Sequence, residues 1–141
     1  MPTINPYLGF DSECEEAFNF YKSAFGGDFK AIMRFKDMPQ NNLDPKESNK
    51  IAHISLPIGN DNLLMGSDRP ASYASISRGD YLSVSVSTDS DDEATRLFNS
   101  LSAGGKVTMP LAKAFWGSFF GMFTDKYGVQ WMVGHDTAPQ R

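Results

Sequence analysis

Hydrophobic and polar positions alternate in two stretches of the chain, and each alternating stretch leads into a helical one. In INPYLGF, Ile4, Pro6, Leu8 and Phe10 alternate with Asn5, Tyr7 and Gly9. In YLSVSVST, Leu82, Val84 and Val86 alternate with Ser83, Ser85 and Ser87. A period of two marks a strand with one buried face. Beyond the first stretch, Cys14, Ala17, Phe18, Tyr21 and Phe25 recur at helical spacing; beyond the second, Ala94, Leu97, Phe98 and Leu101 do so. Both helices open on S-x-x-E, at Ser12…Glu15 and Ser90…Glu93. That is the pattern of a capping box, in which the hydroxyl accepts from a free helix N–H and the Glu reaches back to the cap residue. Gly26-Gly27 and Gly104-Gly105 can supply the positive-φ residue that ends each helix.

These matches are in register. Asp11 with Asp89, Ser12 with Ser90, Glu15 with Glu93 and Gly26 with Gly104 are all 78 positions apart (89 − 11 = 78). Three more apolar segments follow each helix: FKAIMRF, KIAHISLPI and NLLMGS, then KVTMPLA, SFFGMFT and VQWMVG. LLMGSD and WMVGHD echo each other at an offset of 68 (Gly134 − Gly66), and the polar stretch KDMPQNNLDPKESNK absorbs the change as a loop. The chain is predicted to be α+β, one domain over residues 1–141 built from two βαβββ modules. The modules span about residues 1–70 and 79–136, with a polar tail over 137–141. Their helices are expected on the outer face of curved mixed sheets, leaving a concave face open.

The alternation assigns the faces. Ile54, Leu56, Ile58, Leu82, Val84 and Val86 should pack under the helices. Asn5, Tyr7, His53, Ser55, Ser83, Ser85 and Ser87 should face the open side, joined by Met65. In the second module both faces of SFFGMFT are apolar, so periodicity leaves open whether Phe120 and Met122 or Phe119, Gly121 and Phe123 point inward. Trp116 and Trp131 read first as core and second as surfaces for stacking a ligand. Asp125 with Gly128 reads as a turn. Cys14, on the apolar helix stripe, reads as a buried inert thiol. His135, beside the polar tail, reads as solvated.

Composition narrows the function classes. The 141 residues are 40% hydrophobic, 21% charged and 13% aromatic, with a net charge of −4, and the pI is about 5.0. This balance argues against a nucleic-acid partner, which calls for clustered Lys and Arg. A single Cys forms no internal disulfide, and MPTINPYLGF has no basic, apolar leader pattern, so a cytoplasmic location is expected. No apolar run approaches the ~20 residues that span a bilayer, so no membrane partner is expected.

The repeated units, EEAFNFYKSAFGG after the first strand and FTDKYGVQWMV at the end resemble the vicinal oxygen chelate superfamily of glyoxalase I, bleomycin-resistance proteins and extradiol dioxygenases. YLGFDSECEEAFNFYKSAFGG, HISLPIGNDNLLMGSD and GGKVTMPLAKAFWGSFFGMFTDKYGVQWMV are similar to its PhnB-like branch, over nearly the whole chain. That branch carries a demethylubiquinone methyltransferase label, yet the chain has no glycine-rich cofactor loop opening a helix after a strand. Metal-dependent glyoxalases take ligands from the first and last strands of each half. Carried across, the resemblance puts these at Asn5, Met65, Ser83 and Met132, none of which is His, Glu or Asp. No cofactor or metal site is therefore expected. The resemblance implies a small-molecule-binding protein of the bleomycin-resistance type and a homodimer. The ligand would be a small organic molecule held by Tyr7, His53, Ser55, Met65, Ser83, Trp116, Phe120 and Met122, with His53 as the candidate catalytic base. Two rival readings remain: a metal-dependent lyase or dioxygenase using a divalent ion on non-standard ligands, and a non-enzymatic dimerisation or interaction module.

Overall fold

A computed structural model describes residues 2–38, 44–77, 79 and 81–136. The chain divides into two compact units, Met1–Ser77 and Arg78–Arg141. In the first, strand β1 (Tyr7–Phe10) leads to helix α1 (Cys14–Phe25), then β2 (Ala31–Arg34), a 3-10 turn (Phe35–Asp37), β3 (Ile51–Ile58) and β4 (Asn62–Asp68). In the second, β5 (Val84–Ser87) leads to α2 (Asp91–Ser102), β6 (Lys106–Lys113), β7 (Ser118–Thr124) and β8 (Gln130–Asp136). The sheets have matching orders, β1-β4-β3-β2 and β5-β8-β7-β6. In each, the first strand lies parallel to the last and the other pairs are antiparallel.

The βαβββ repeat is thus present, but the register corrects part of the sequence reading. Tyr7 pairs with Met65, and Ser85 pairs with Met132. The first strands are therefore offset by 78 (85 − 7) and the last by 67 (132 − 65). The Gly66/Gly134 and Asp68/Asp136 echo is one residue out of step. In a strand, one residue is a change of face. Gly66 lies under the Phe18 ring on the helix side, where an added Cβ would stand 2.7 Å from Cε1, whereas Gly134 lies on the open side against Phe120. The structural counterpart of Asp68 is His135 (68 + 67).

Each core sits between one helix and one sheet face. Cys14, Ala17, Phe18 and Tyr21 of α1 are fully buried with Phe10, Ile54, Leu56 and Leu64; the Phe18 and Tyr21 rings meet edge-on, 5.4 Å apart. In the second unit, Ala94, Leu97, Phe98 and Leu101 bury against Phe123, Trp131 and Val133, with Phe98 edge-on to Phe123 at 5.1 Å. Burying a large apolar side chain is worth roughly 1.5–3 kcal/mol, so these stripes dominate local stability. The first-strand patterns overreach: Ile4 is 96% and Leu82 74% exposed, because the strands begin only at Tyr7 and Val84.

The two helix starts differ. At α2 the expected cap forms: Ser90 Oγ accepts from Glu93 N at 3.1 Å, while the Glu93 carboxylate accepts from Asp89 N, one residue earlier than expected. At α1 it does not. The N-cap residue is Glu13, with no side-chain cap, and Glu15 instead holds Arg34 through two hydrogen bonds. The cap comes from across the sheet. Asp68, at the end of β4, accepts from Cys14 N at 2.9 Å with Oδ1 and from Ile51 N at 3.0 Å with Oδ2. The helices end as expected, with positive φ at Gly26 (83°) and Gly104 (78°). The loop predicted over residues 36–50 lies partly outside the described residues, as does the tail.

Candidate functional site

The open face of the first sheet carries one polar pair. Tyr7 Oη lies 3.3 Å from His53 Nδ1, with ring centroids 5.8 Å apart. Met65 stands beside Tyr7 on β4, and Ser55 opposite Met65 on β3. Tyr7 is half-exposed, Met65 and His53 are partly covered, and Ser55 is buried. The structure therefore brings Tyr7, His53, Ser55 and Met65 onto one face, and gives His53 a partner that spacing did not reveal. It separates His53 from Asp68, whose buried carboxylate faces α1. Burial pushes the Asp68 carboxyl above its ordinary value, with the two backbone N–H groups pulling it the other way.

In the second unit, register resolves the ambiguity of β7. Gly121 pairs with Val133 and Phe123 with Trp131, both buried under α2, so Phe120 and Met122 take the open face. There a cleft of about 210 Å³ opens beside the C-terminal ends of β5 and β8. Trp116 and Phe120 form one wall, with ring centroids 6.1 Å apart; Met132, Ser85 and Ser87 form another. Ser118, His135 and Asp136 close one end, with Ser118 Oγ donating to Asp136 Oδ1. Of the residues expected here, Trp116 and Phe120 line the cleft. Met122 shares their sheet face, opposite Met132, but is not in the cleft wall, and Ser83 lies exposed before β5.

The readings of Trp116 and His135 are corrected, and those of Trp131, Asp125 and Cys14 hold. Trp116 is not core: it is 55% exposed on the loop before β7, whereas Trp131 is buried as expected. His135 is not a solvated tail residue: β8 continues to Asp136, and Nδ1 lies 2.9 Å from Asp91 Oδ1. That bond is the first cause holding the Asp91 carboxyl below the usual range, helped by Lys113, 3.7 Å away. Asp125 forms the expected turn and does more, accepting from Tyr127 N, Val129 N and Trp131 Nε1. Cys14 is fully buried; burial first, then the Asp68 and Glu15 charges, push its thiol far up, as an inert thiol requires.

Sequence reasoning missed His135, Ser118 and Asp136 as cleft residues. The pairing of β7 with β8 would have found Ser118 and Asp136, since the face holding Phe120 also holds Ser118 and, across it, Asp136; His135 pairs with Phe119 on the helix side and meets the cleft only at the strand end.

A divalent ion of glyoxalase type requires imidazole and carboxylate donors. The residues facing each other across the paired first and last strands are Tyr7 with Met65 and Ser85 with Met132. Phenol, hydroxyl and thioether groups do not fit such an ion, nor do Asn5 and Ser83 two residues earlier. Among the described residues, no three His, Cys, Asp or Glu side chains gather as ligands.

Two four-stranded mixed sheets, each backed by one helix, are the glyoxalase/bleomycin-resistance fold. Solved proteins of that superfamily share it at 9–16% identity, a likeness of fold alone. The chain belongs to the family described as 3-demethylubiquinone-9 3-methyltransferase, whose profile matches residues 2–134, and so to the PhnB-like branch of the superfamily. It is 41% identical to protein PA1353 from Pseudomonas aeruginosa, with a TM-score of 0.87 over 96% of this chain and 98% of that one. It is 26% identical to the PhnB protein from Bacillus cereus, with a TM-score of 0.77 over 95% and 99%. It is 30% identical to protein YjdN from Escherichia coli strain K12, over 94% of each chain. No described helix is long and apolar enough to cross a membrane.

Proposed function

We propose that the protein binds a small organic molecule, without a resident metal, in the cleft of its second module. The carrying observation is the cleft itself: an aromatic wall of Trp116 and Phe120 faces serine hydroxyls and a thioether. Pockets that hold organic ligands combine an apolar lining with a few polar groups in this way. An engineered apolar cavity of about 150 Å³ accepts benzene, so 210 Å³ suits one substituted ring. The Tyr7–His53 pair is the matching polar feature of the first module. By register, His53 takes the place on β3 that Phe120 takes on β7 (53 + 67). His53 serves there as a hydrogen-bonding group or base. The strand-to-helix turns are Asp11-Ser12-Glu13 and Thr88-Asp89-Ser90, acidic and without glycine. We therefore do not extend methyl transfer to this chain. Phe115, Tyr81 and Leu82 are 97%, 92% and 74% exposed, which favours a homodimer that covers them.

Trp116 provides the test. A panel of hydrophobic cations, quinones and organophosphonates is titrated against intrinsic fluorescence. Binding is expected to change the emission of wild type and of Trp131→Phe, and to leave Trp116→Phe silent. A panel without any binder, or a response that survives in W116F and vanishes in W131F, contradicts the proposed site.

A further inference from the structure

Strand pairing gives the second-module cleft two unlike ends. Phe120 pairs with Gly134 and Ser118 with Asp136, so these side chains share the open face, and Ser87 joins it across Gly134. Gly134 gives Phe120 its seat, because a Cβ there would stand 2.5 Å from Phe120 Cβ. The Phe120 and Trp116 rings, tilted 37° to each other with centroids 6.1 Å apart, form an angled aromatic corner. Two residues further along β7 and β8, about 6.8 Å away, Ser118 Oγ donates to Asp136 Oδ1. That bond orients the carboxylate without consuming it, since a carboxylate offers about four acceptor sites. Among the described residues that line the cleft, Asp136 brings the one carboxylate and none is Lys or Arg. The basic groups nearby turn to the other face: Lys113 and His135 both pair with Phe119 and both reach Asp91, and His135 meets the cleft only at the strand end. By the offset of 67, Asp136 corresponds to Arg69 of the first module (136 − 67), so the shared scaffold does not require an acid here.

We propose that the cleft takes an arylalkyl amine in its ammonium form, with the ring in the Trp116–Phe120 corner and the ammonium, on a short methylene spacer, at Asp136. This rests on the cleft being the ligand site. A primary ammonium has N–H donors only, and the acceptors at that end are the Asp136 carboxylate and the Ser87 hydroxyl. The faces of the two aromatic rings attract the same charge. Two other ring-sized classes fit less well. A neutral alcohol forgoes the charge-assisted hydrogen bond. An anion meets the carboxylate with no Lys or Arg in the described lining to offset it.

The probes are phenethylamine, 2-phenylethanol and 3-phenylpropionate, a single ring with a cationic, a neutral or an anionic end. Each is titrated near neutral pH against the emission of wild type, with Trp116→Phe as the silent control. Phenethylamine is expected to bind about tenfold more tightly than the alcohol, the share that a hydrogen bond to a charged group supplies, and 3-phenylpropionate most weakly. Added salt is expected to weaken the amine and leave the alcohol unchanged. Asp136→Asn, at the exposed end of β8, is expected to lower amine affinity about tenfold, to the level of the alcohol. Alcohol binding should be unchanged in D136N, which also shows that the cleft of the variant is intact. Equal affinity for amine and alcohol in wild type, an amine preference that survives D136N, or tightest binding by 3-phenylpropionate overturns the ammonium assignment while leaving the cleft as a binding site. Silence of all three probes overturns this proposal, and the cleft reading falls with it only when the quinones and organophosphonates are silent too.

Discussion

Asp125→Ala is expected to destabilise the protein by about 3–5 kcal/mol, as each orphaned buried donor costs about 1–3 kcal/mol. The Asp125 carboxylate is buried and accepts from Tyr127 N at 2.8 Å, Val129 N at 3.0 Å and the Trp131 indole at 2.8 Å. Truncation strips all three donors of that partner beneath β7 and β8. Such a loss is a large share of the about 5–15 kcal/mol that holds a domain folded. Asp125→Asn should cost less, because one amide oxygen can still serve the turn while its NH₂ meets the indole N–H donor to donor. Trp131→Phe should remove that last conflict, so the double variant is expected to be less destabilised than the sum of the two singles. Urea denaturation followed by circular dichroism measures all four chains. A loss below about 1 kcal/mol for D125A would show that water replaces the carboxylate and that the bonds contribute little.

Asp68→Ala comes next, at about 2–4 kcal/mol near neutral pH, since it orphans the N–H groups of Cys14 and Ile51. Its pH dependence has a definite sign. Burial raises the folded-state value of the Asp68 carboxyl above its unfolded value, near about 3.9. The folded protein therefore takes up this proton at higher pH than the unfolded chain does. Where the folded state binds more protons, stability rises as pH falls. The difference between wild type and D68A should then grow as pH drops through the raised value and level off below the unfolded one. Denaturation series across that window measure it. A difference that shrinks on acidification would mean that the two hydrogen bonds outweigh burial and hold the carboxyl low.

Local signals in the chain were legible where local physics decides. The α2 cap, the apolar stripes of both helices and the alternation of β3 follow from spacing alone, because each depends on neighbours a few residues away. Where a distant partner intervened, the sequence misled. Ser12 and Glu15 match the capping pattern, yet α1 is capped by Asp68, 54 residues on from Cys14. The Gly66/Gly134 echo looked like homology, but pairing places these glycines on opposite faces. On β7, apolar residues on both sides hid the answer until the partners Trp131 and Val133 were known. His135 looked like part of a tail because nothing local says where β8 ends. The cleft was half legible: Trp116 and Phe120 were named for it, whereas Ser118 and Asp136 required the register of two strands.

The donor set on the open faces is the central point, since it separates an organic-ligand protein from a metalloenzyme of the same fold. Native mass spectrometry of protein purified without chelator tests it most directly. The expected result is a dimer at twice the 15.6 kDa chain mass, free of stoichiometric divalent metal, that gains the mass of an added organic ligand. One divalent ion per chain, retained through desalting and lost when Met65 and Met132 are replaced by leucine, would contradict it.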